Sequence, residues 1–168
     1  VGRVGVAVDS LQDFAIIYEA YTGPLDIDKV PSNFTINAPA AVLIAMYACL
    51  AKKRGIPLNK LTGTPQNDIL KEFIARGTYI YPPAQSMRLF RDTCVFCCKH
   101  MPELNINSIG GYHMREAGAT RVQDLAFSMA NGIAYIKAGL EGGLEVDAFA
   151  PAFTFNAFGG SMEIYHEI

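Results

Sequence analysis

Two stretches of this 168-residue sequence carry polar side chains where a predicted strand gives way to a predicted helix. In the first, LTGTPQNDILKEFIARGTYIYPP, Thr64 and Gln66 follow an extended segment and precede a short helix. In the second, NINSIGGYHMREAGAT, a diglycine turn leads into Tyr112 and His113. Enzymes of the α/β class present ligand-binding groups at the carboxyl ends of strands. Both stretches are therefore candidate parts of a ligand site.

The chemistry open to these side chains is hydrogen bonding to a carbonyl group and, for histidine, proton transfer. His113 either donates to a carbonyl or moves a proton, or it caps local backbone. Gln66 offers a neutral amide, which binds a carbonyl without supplying a proton; the alternative is an amide that caps a turn. Arg76 and Glu116, taken alone, are ordinary charges near helix ends.

Three cysteines and a histidine have a spacing that suggests a metal site. They form the pattern C-x-x-C-C-x-H and comprise Cys94, Cys97, Cys98 and His100. The pattern lies in the middle of a predicted amphipathic helix, whereas a structural zinc site needs a turn between its cysteines. We therefore expect buried free thiols at Cys94 and Cys97 and no metal ligands.

Composition limits the classes of partner. The chain is 51% apolar with a formal charge of −2, which is ordinary for a globular domain with one core. The charge gives no reason to expect nucleic acid or an anionic membrane as a partner. The longest apolar stretch, residues 38–51, is too short to cross a bilayer, and no signal peptide is visible. The cysteines indicate a reducing compartment.

Strands and helices alternate along the chain, which predicts a parallel sheet. Helices are predicted over residues 11–21, 38–54, 69–76, 87–100 and 121–141, and strands over residues 33–36, 61–64, 79–81, 105–109 and 149–155. Residues 4–8 are either a strand or an entry loop. Periodicity alone does not separate an open sheet from a barrel.

Local rules predict how several helices begin and which face is apolar. The predicted N-caps are Asn37, Asn67 and Ser86, and Asp68 is placed where the helix dipole favours a carboxylate. The helix 121–141 is amphipathic, and its predicted apolar face consists of Val122, Leu125, Met129, Ile133, Ile136 and Leu140.

The segments GT-x-QNDILKEF-x-x-R-x-TYIYPP and S-x-x-GYHM-x-EAGA together resemble the adenosylcobalamin-dependent acyl-CoA mutase family, to which methylmalonyl-CoA mutase belongs. The resemblance continues into DLAFSMANGIAY and FAP and covers nearly the whole chain. It implies an α/β fold that is part of a (β/α)8 TIM barrel. With four or five candidate strands instead of eight, residues 1–168 are expected to be a single partial domain, an internal piece of the acyl-CoA-binding barrel without the cobalamin-binding domain.

The resemblance also implies roles for individual residues. His113 and Gln66 are expected to hold the thioester carbonyl of an acyl-CoA, and Tyr112 to line the substrate and adenosyl cavity as a third catalytic residue. Arg76 is expected to hold a free carboxylate of the substrate, and Thr64 to contact the acyl group.

Other positions imply contacts to coenzyme A and to the cofactor. Asn33 and Thr35 match positions that touch the pantetheine arm, although the family usually has serine at the first. Glu116, with Tyr112 and Arg76, matches the cofactor-facing positions. The chain departs from the family pattern at Pro65, Gly110, Ala152 and Asn156; Ala152 replaces an arginine that helps to hold coenzyme A.

The activity implied is isomerisation of (R)-methylmalonyl-CoA and succinyl-CoA through a cobalamin-initiated radical. Alternatives are a mutase acting on ethylmalonyl-, isobutyryl- or 2-hydroxyisobutyryl-CoA, and a degenerate, non-catalytic subunit. The implied partners are acyl-CoA, a cobalamin-binding domain or subunit, and a second chain in a dimer or heterodimer. The expected location is the cytoplasm or the mitochondrial matrix, and the piece alone is expected to be inactive.

Overall fold

The computed structural model describes residue 3, residues 5–22 and residues 26–156 of the chain. Helices and short strands alternate in it. They are α1 (Leu11–Thr22), β1 (Ser32–Phe34), α2 (Ala40–Lys53), β2 (Gly63–Pro65), α3 (Pro83–His100), β3 (Asn107–Gly110), α4 (Tyr112–Glu116), α5 (Arg121–Glu141), α6 (Val146–Phe149) and β4 (Phe153–Asn156). Short helical turns lie at Leu58–Lys60, Glu72–Arg76 and Ala150–Ala152. The predicted α/β class is confirmed.

The four strands run parallel and follow one another in chain order. β1 pairs with β2, and β3 pairs with β4. Backbone bonds also connect β2 to the approach of β3: Asn105 N donates to Gly63 O at 2.9 Å, and Ser108 N donates to Gln66 O at 2.9 Å. The carboxyl ends of the strands therefore meet at one edge, where the two candidate stretches begin.

An aromatic cluster anchors the first half of the chain. Phe14 and Tyr18 of α1 pack against Tyr47 of α2 and Phe34 of β1, with ring centroids 5.2 to 6.3 Å apart. The buried Tyr47 hydroxyl contacts the carbonyl oxygens of Ile27 and Thr62, each at 3.2 Å. This packing fixes α1 and α2 against the first strand pair.

Gly63 has to be glycine for β1 and β2 to pair. Its φ is +142°, and a Cβ built on it would lie 1.9 Å from the backbone oxygen of Ser32. Neither the backbone conformation nor the available space admits a side chain.

The apolar face predicted for α5 is not its buried face. Val122, Leu125 and Ile133 are 79%, 61% and 58% exposed, and Met129 and Leu140 are also exposed. Of the six predicted residues, Ile136 is half-buried and packs against the core. The buried side consists of small and polar residues: Asp124, Ser128, Asn131, Gly132, Tyr135, Ala138 and Gly139. Small residues are needed on this side because aromatic rings pack closely against the helix. A Cβ at Gly139 would lie 2.4 Å from the Phe149 ring, and one at Gly132 would lie 3.1 Å from Phe155.

Three predicted N-caps are wrong. α2 is preceded by Pro39, α3 begins at Pro83, and the turn Glu72–Arg76 follows Lys71, all without a side-chain cap. The side chains of Asn37, Asn67 and Ser86 are instead engaged elsewhere; Ser86 Oγ, for example, donates to Tyr81 O at 3.3 Å.

Several predicted boundaries also differ from the structure. Residues 79–81 form no strand, and the predicted strand 149–155 is a helical segment followed by β4. Residues 5–8 form no regular element, and residue 4 lies outside the described residues. Within the described ranges, no helix combines the length and apolar character needed to cross a membrane.

Candidate active site

The loop after β2 is held by the backbone of the neighbouring strand. Gln66 N donates to Phe34 O at 2.8 Å, and Asn67 N donates to Ile36 O at 2.9 Å. Asn67 adopts a positive φ of 45°, which asparagine tolerates better than most residues. Its side chain donates to Ile106 O at 3.2 Å instead of capping the next turn. The loop is therefore bound on both sides, by β1 and by the segment before β3.

Asp68 joins the two candidate stretches. Its carboxylate is fully buried; Oδ2 accepts from Gly110 N at 3.0 Å, and Oδ1 accepts from the Tyr135 hydroxyl at 2.5 Å. Tyr135 in turn accepts from Leu70 N at 2.9 Å. Burial raises the pKa of Asp68, and the Lys71 charge opposes that shift. Because both oxygens accept hydrogen bonds, the geometry favours the ionised form.

Lys71 supplies a positive charge next to the buried Asp68 carboxylate. Its Nζ lies 3.7 Å from Asp68 Oδ2, and both side chains are fully buried. Burial lowers the pKa of Lys71, while Asp68 and then Glu72 oppose that shift. Lys71 Nζ has no hydrogen-bond partner among the described residues. The prediction that Asp68 serves a helix dipole is replaced by a buried ion pair beneath the loop.

A chain of hydrogen bonds leads from Asn37 to Arg76. Asn37 Nδ2 donates to Gln66 Oε1 at 3.1 Å and also to Glu72 Oε1. Arg76 Nη1 lies 3.4 Å from the same Glu72 oxygen, and the Arg76 side chain is 43% exposed. Gln66 and Arg76, both predicted site residues, are thus connected through two buried side chains that the sequence did not indicate as site residues.

His113 lies on α4, which packs against the turn Glu72–Arg76. The imidazole is half-buried, and its Nδ1 is buried without a hydrogen-bond partner in the described part of the chain. Burial lowers the pKa of His113, and the charges of Lys71 and Arg76 lower it further, against an opposing contribution from Glu72. A neutral imidazole at neutral pH can donate a hydrogen bond without acting as a strong acid.

The remaining predicted site residues lie on the surrounding rim. Tyr112 is 41% exposed and meets the His113 ring edge to face, with centroids 5.4 Å apart. Glu116 is exposed at the end of α4.

The predicted pantetheine contacts lie in β1 (Asn33) and directly after it (Thr35), and Thr64, which is predicted to contact the acyl group, lies in β2. Asn33 and Thr35 are exposed, and Asn33 pairs in register with Thr64. Thr64 Oγ1 accepts from Asn105 Nδ2 at 2.8 Å. Asn105 therefore extends the row of polar groups along the strand ends.

The structure links Gln66 to Arg76 through Asn37 and Glu72, and it places His113 on α4, which packs against the turn Glu72–Arg76. A hollow lies beside Asn37 and Asn67, toward Tyr81 and Phe90, and none of the three predicted residues lines it. Gln66 and Arg76 share the Asn37–Glu72 connection, and His113 is within electrostatic range of Arg76. A shared cavity for these three side chains stays a prediction.

Sequence reasoning missed Asn37, Lys71, Glu72, Asn105 and Tyr135. For two of them a signal was present: Lys71 and Glu72 stand between apolar residues of a short helix, three and four residues after Asp68. Charges on the inside of an apolar helix need partners. The roles of Asn37, Asn105 and Tyr135 depend on residues far away in sequence.

The cysteines are free thiols, and Cys94 and Cys97 are buried in α3 as predicted. Burial raises the pKa of the Cys97 thiol to about 12. Among the residues with described positions, no group of three or more histidine, cysteine, aspartate or glutamate side chains could hold a metal ion.

Comparison with known proteins agrees with the resemblance seen in the two stretches. The family model described as methylmalonyl-CoA mutase matches residues 1–168. Methylmalonyl-CoA mutase of Escherichia coli (strain K12) is 44% identical over 168 residues, which is all of this chain and 23% of that protein.

Two other relatives give the same result. The methylmalonyl-CoA mutase large subunit of Streptomyces virginiae is 45% identical over 155 residues, covering 92% of this chain and 21% of that protein. The mitochondrial methylmalonyl-CoA mutase of Homo sapiens is 42% identical over the whole chain, which covers 22% of that protein. The chain thus spans less than a quarter of the length of these relatives. Matched along its full length, the chain belongs to the methylmalonyl-CoA mutase family.

Proposed function

We propose that this chain forms part of the substrate-binding barrel of an adenosylcobalamin-dependent mutase that interconverts (R)-methylmalonyl-CoA and succinyl-CoA. Family membership along all 168 residues supports the activity. The observation that carries the assignment of the site is the connection Gln66–Asn37–Glu72–Arg76 beside the half-buried His113. This connection supports a site in which the Gln66 amide and the Arg76 guanidinium act together with the His113 imidazole of the adjacent α4.

We propose the (β/α)8 barrel from the order of the strands. Four parallel strands that neighbour one another in chain order, the first three each followed by helical structure, are what successive β/α units of such a barrel require. An open, doubly wound sheet reverses its strand order at a switch point, and the four described strands contain no such reversal. Residues 1–168 are then a partial domain of the acyl-CoA-binding barrel.

Arg76 would bind the free carboxylate of the substrate. Its guanidinium is partly exposed and held by Glu72 from one side, so its other donors remain available for a carboxylate in bidentate geometry. His113 and Gln66 would donate to the thioester carbonyl, and neither supplies an acidic proton at neutral pH. Thr64, Thr35 and Asn33 would contact the acyl group and the pantetheine arm along the strand ends.

The residues near His113 fit the proposed cofactor. Tyr112 offers an exposed aromatic face and Glu116 an exposed carboxylate, and on the same helix His113 has a buried Nδ1 without a partner among the described residues. Together with Arg76, Tyr112 and Glu116 would line the adenosyl side of the cavity. The bound adenosylcobalamin would supply the radical chemistry, and this chain would orient the acyl group and exclude water.

Further partners follow from the same assignment. We propose that the cobalamin is carried by a cobalamin-binding domain or subunit and that the enzyme is a dimer or heterodimer; the Streptomyces relative is named as a large subunit. The human relative is named as mitochondrial, and we propose the cytoplasm or the mitochondrial matrix for this protein.

The test of the substrate class compares Arg76→Gln with the unaltered full-length protein. We expect kcat/KM for methylmalonyl-CoA to fall by about ten-fold or more, because a charge-assisted bond is worth about 1.5–3 kcal/mol. Activity with isobutyryl-CoA, which lacks the carboxylate, should not fall. Arg88→Gln, on the exposed side of α3, is the matched control. Unchanged methylmalonyl-CoA kinetics in Arg76→Gln would contradict the assignment.

A further inference from the structure

Asn37 lies between β1 and α2 and is buried under the loop that follows β2. Its side chain makes three hydrogen bonds, two with Gln66 and Asp68 of that loop and one with Glu72 of the helical turn that follows. These partners are 29 to 35 residues away in sequence. These hydrogen bonds therefore do not cap α2, although an asparagine just before a helix ordinarily acts as its N-cap.

The chemistry of the partners fixes the orientation of two amide groups. A backbone N–H only donates, so the Asn37 atom 3.0 Å from Asp68 N is the oxygen Oδ1. The other Asn37 atom is then Nδ2, which is consistent with its bond to the Glu72 carboxylate. An NH2 group also only donates, so the Gln66 atom 3.1 Å away is Oε1. The Gln66 nitrogen Nε2 consequently points away from Asn37.

We propose that Asn37 is a positioning residue that turns the Gln66 amide so that Nε2, and not Oε1, faces the thioester carbonyl of the acyl-CoA. The inference rests on the proposed function, since it needs a carbonyl acceptor next to Gln66. Gln66 is half-buried, and its Nε2 has no acceptor among the described residues. In the flipped orientation, the Gln66 NH2 group would face the Asn37 NH2 group and Gln66 Oε1 would face the thioester oxygen, and both contacts would be repulsive.

The same Asn37 side chain also supports Glu72, which contacts Arg76. One buried amide therefore connects the proposed carbonyl donor to the proposed carboxylate clamp. The groups that bind the two ends of a short acyl group, its thioester and its free carboxylate, would therefore both be positioned by Asn37. A test has to separate these two effects, because loss of support for Arg76 would weaken the binding of any ligand that carries the carboxylate.

The test measures binding of two ligands to the full-length protein by calorimetry at pH 8. One ligand is succinyl-CoA; the other is its 3-carboxypropyl thioether, in which a methylene replaces the thioester carbonyl. The readout is the ratio of the thioether Kd to the succinyl-CoA Kd, which isolates the contribution of the carbonyl. Asn37→Asp retains the acceptor for Asp68 N but replaces the Nδ2 donor with an oxygen, so Gln66 is expected to flip.

We expect Asn37→Asp to lower this ratio by roughly five-fold or more, since one hydrogen bond is lost and a repulsion is gained. In a Gln66→Leu background, the ratio should already be low, and Asn37→Asp should not lower it further. Asn59→Asp makes the same chemical change at an exposed position and should leave the ratio unaltered.

Two results would overturn the inference in distinguishable ways. If Gln66→Leu lowers the ratio and Asn37→Asp does not, Asn37 does not orient Gln66. If Gln66→Leu itself leaves the ratio unchanged, the proposed contact of Gln66 with the thioester is wrong, and the role of Asn37 is wrong with it. Should Asn37→Asp not fold, Asn37→Ala also removes the donor; an unchanged ratio in that variant would equally overturn the proposal.

Discussion

The carboxylate of Asp68 accepts a hydrogen bond from the backbone nitrogen of Gly110 at 3.0 Å. Asp68 follows β2, and Gly110 ends β3, so this contact joins the loop that carries Gln66 to the turn that carries His113. The buried Lys71 and the Tyr135 hydroxyl hold the same carboxylate. The relative position of the two proposed carbonyl donors thus depends on one buried ionic group.

Loss of the Lys71 charge should be strongly destabilising. Lys71→Met keeps the length of the side chain but leaves the buried Asp68 carboxylate without its countercharge. We expect the free energy of unfolding of the full-length protein in urea to fall by about 3–5 kcal/mol. Adding Asp68→Asn to Lys71→Met should recover part of that loss, and Lys52→Met on the exposed side of α2 should have little effect. A loss as small as that in the control would show that the pair carries no charge.

The Tyr135 hydroxyl should contribute a smaller, separable amount. Tyr135→Phe removes a donor to the buried Asp68 Oδ1 and an acceptor for the part-buried Leu70 N. We expect the free energy of unfolding to fall by about 1–3 kcal/mol. Tyr79→Phe, at a 67% exposed position, is the matched control. Equal stability of Tyr135→Phe and Tyr79→Phe would argue against the hydrogen bonds.

Gly63→Ala should disrupt the pairing of β1 with β2. The added Cβ would lie 1.9 Å from Ser32 O, a backbone atom that cannot move away without breaking the strand pair. We expect no native full-length protein, or a loss of more than about 4 kcal/mol in the free energy of unfolding. Gly55→Ala has a positive φ but open space around it, and should cost about 1–2 kcal/mol. Similar losses in both variants would contradict the close approach.

His113 should remain neutral to a lower pH than an ordinary histidine. Burial, with Lys71 and Arg76 nearby, lowers its pKa below the usual 6.5. The unfolded chain then binds a proton more readily than the folded one, so stability is complete above about pH 6.5 and falls as the pH drops through that window. His113→Gln should reduce the acid sensitivity of unfolding between about pH 5 and 6.5, whereas His100→Gln controls for removal of an exposed imidazole. A carbon-13 titration of His113 with a midpoint above 6.5 would contradict this.

Local sequence rules succeeded where local chemistry decides the structure. The alternation of strands and helices, the ending at Gly77 and the polar groups after β2 follow from backbone preferences and apolar periodicity. These rules failed where distant contacts compete. Asn37 has the residue type of a helix cap, yet its side chain is engaged by Gln66 and Glu72.

The buried face of α5 could not be predicted for a related reason. Close approach to Phe149 and Phe155 selects glycines there, and the Asp124 carboxylate lies against Gly111, where a Cβ would be 1.8 Å away. Apolar periodicity weighs hydrophobicity and does not register a neighbour that requires a small side chain. The most apolar stripe of the helix is therefore the one left exposed.

The most direct test of the account is a crystal structure of the full-length protein with succinyl-CoA bound. We predict that Gln66 Nε2 and a ring nitrogen of His113 both lie within about 3.2 Å of the thioester oxygen. The Arg76 guanidinium should hold the succinyl carboxylate at similar distances. A thioester oxygen that contacts neither Gln66 nor His113, or a carboxylate bound away from Arg76, would contradict the proposed site.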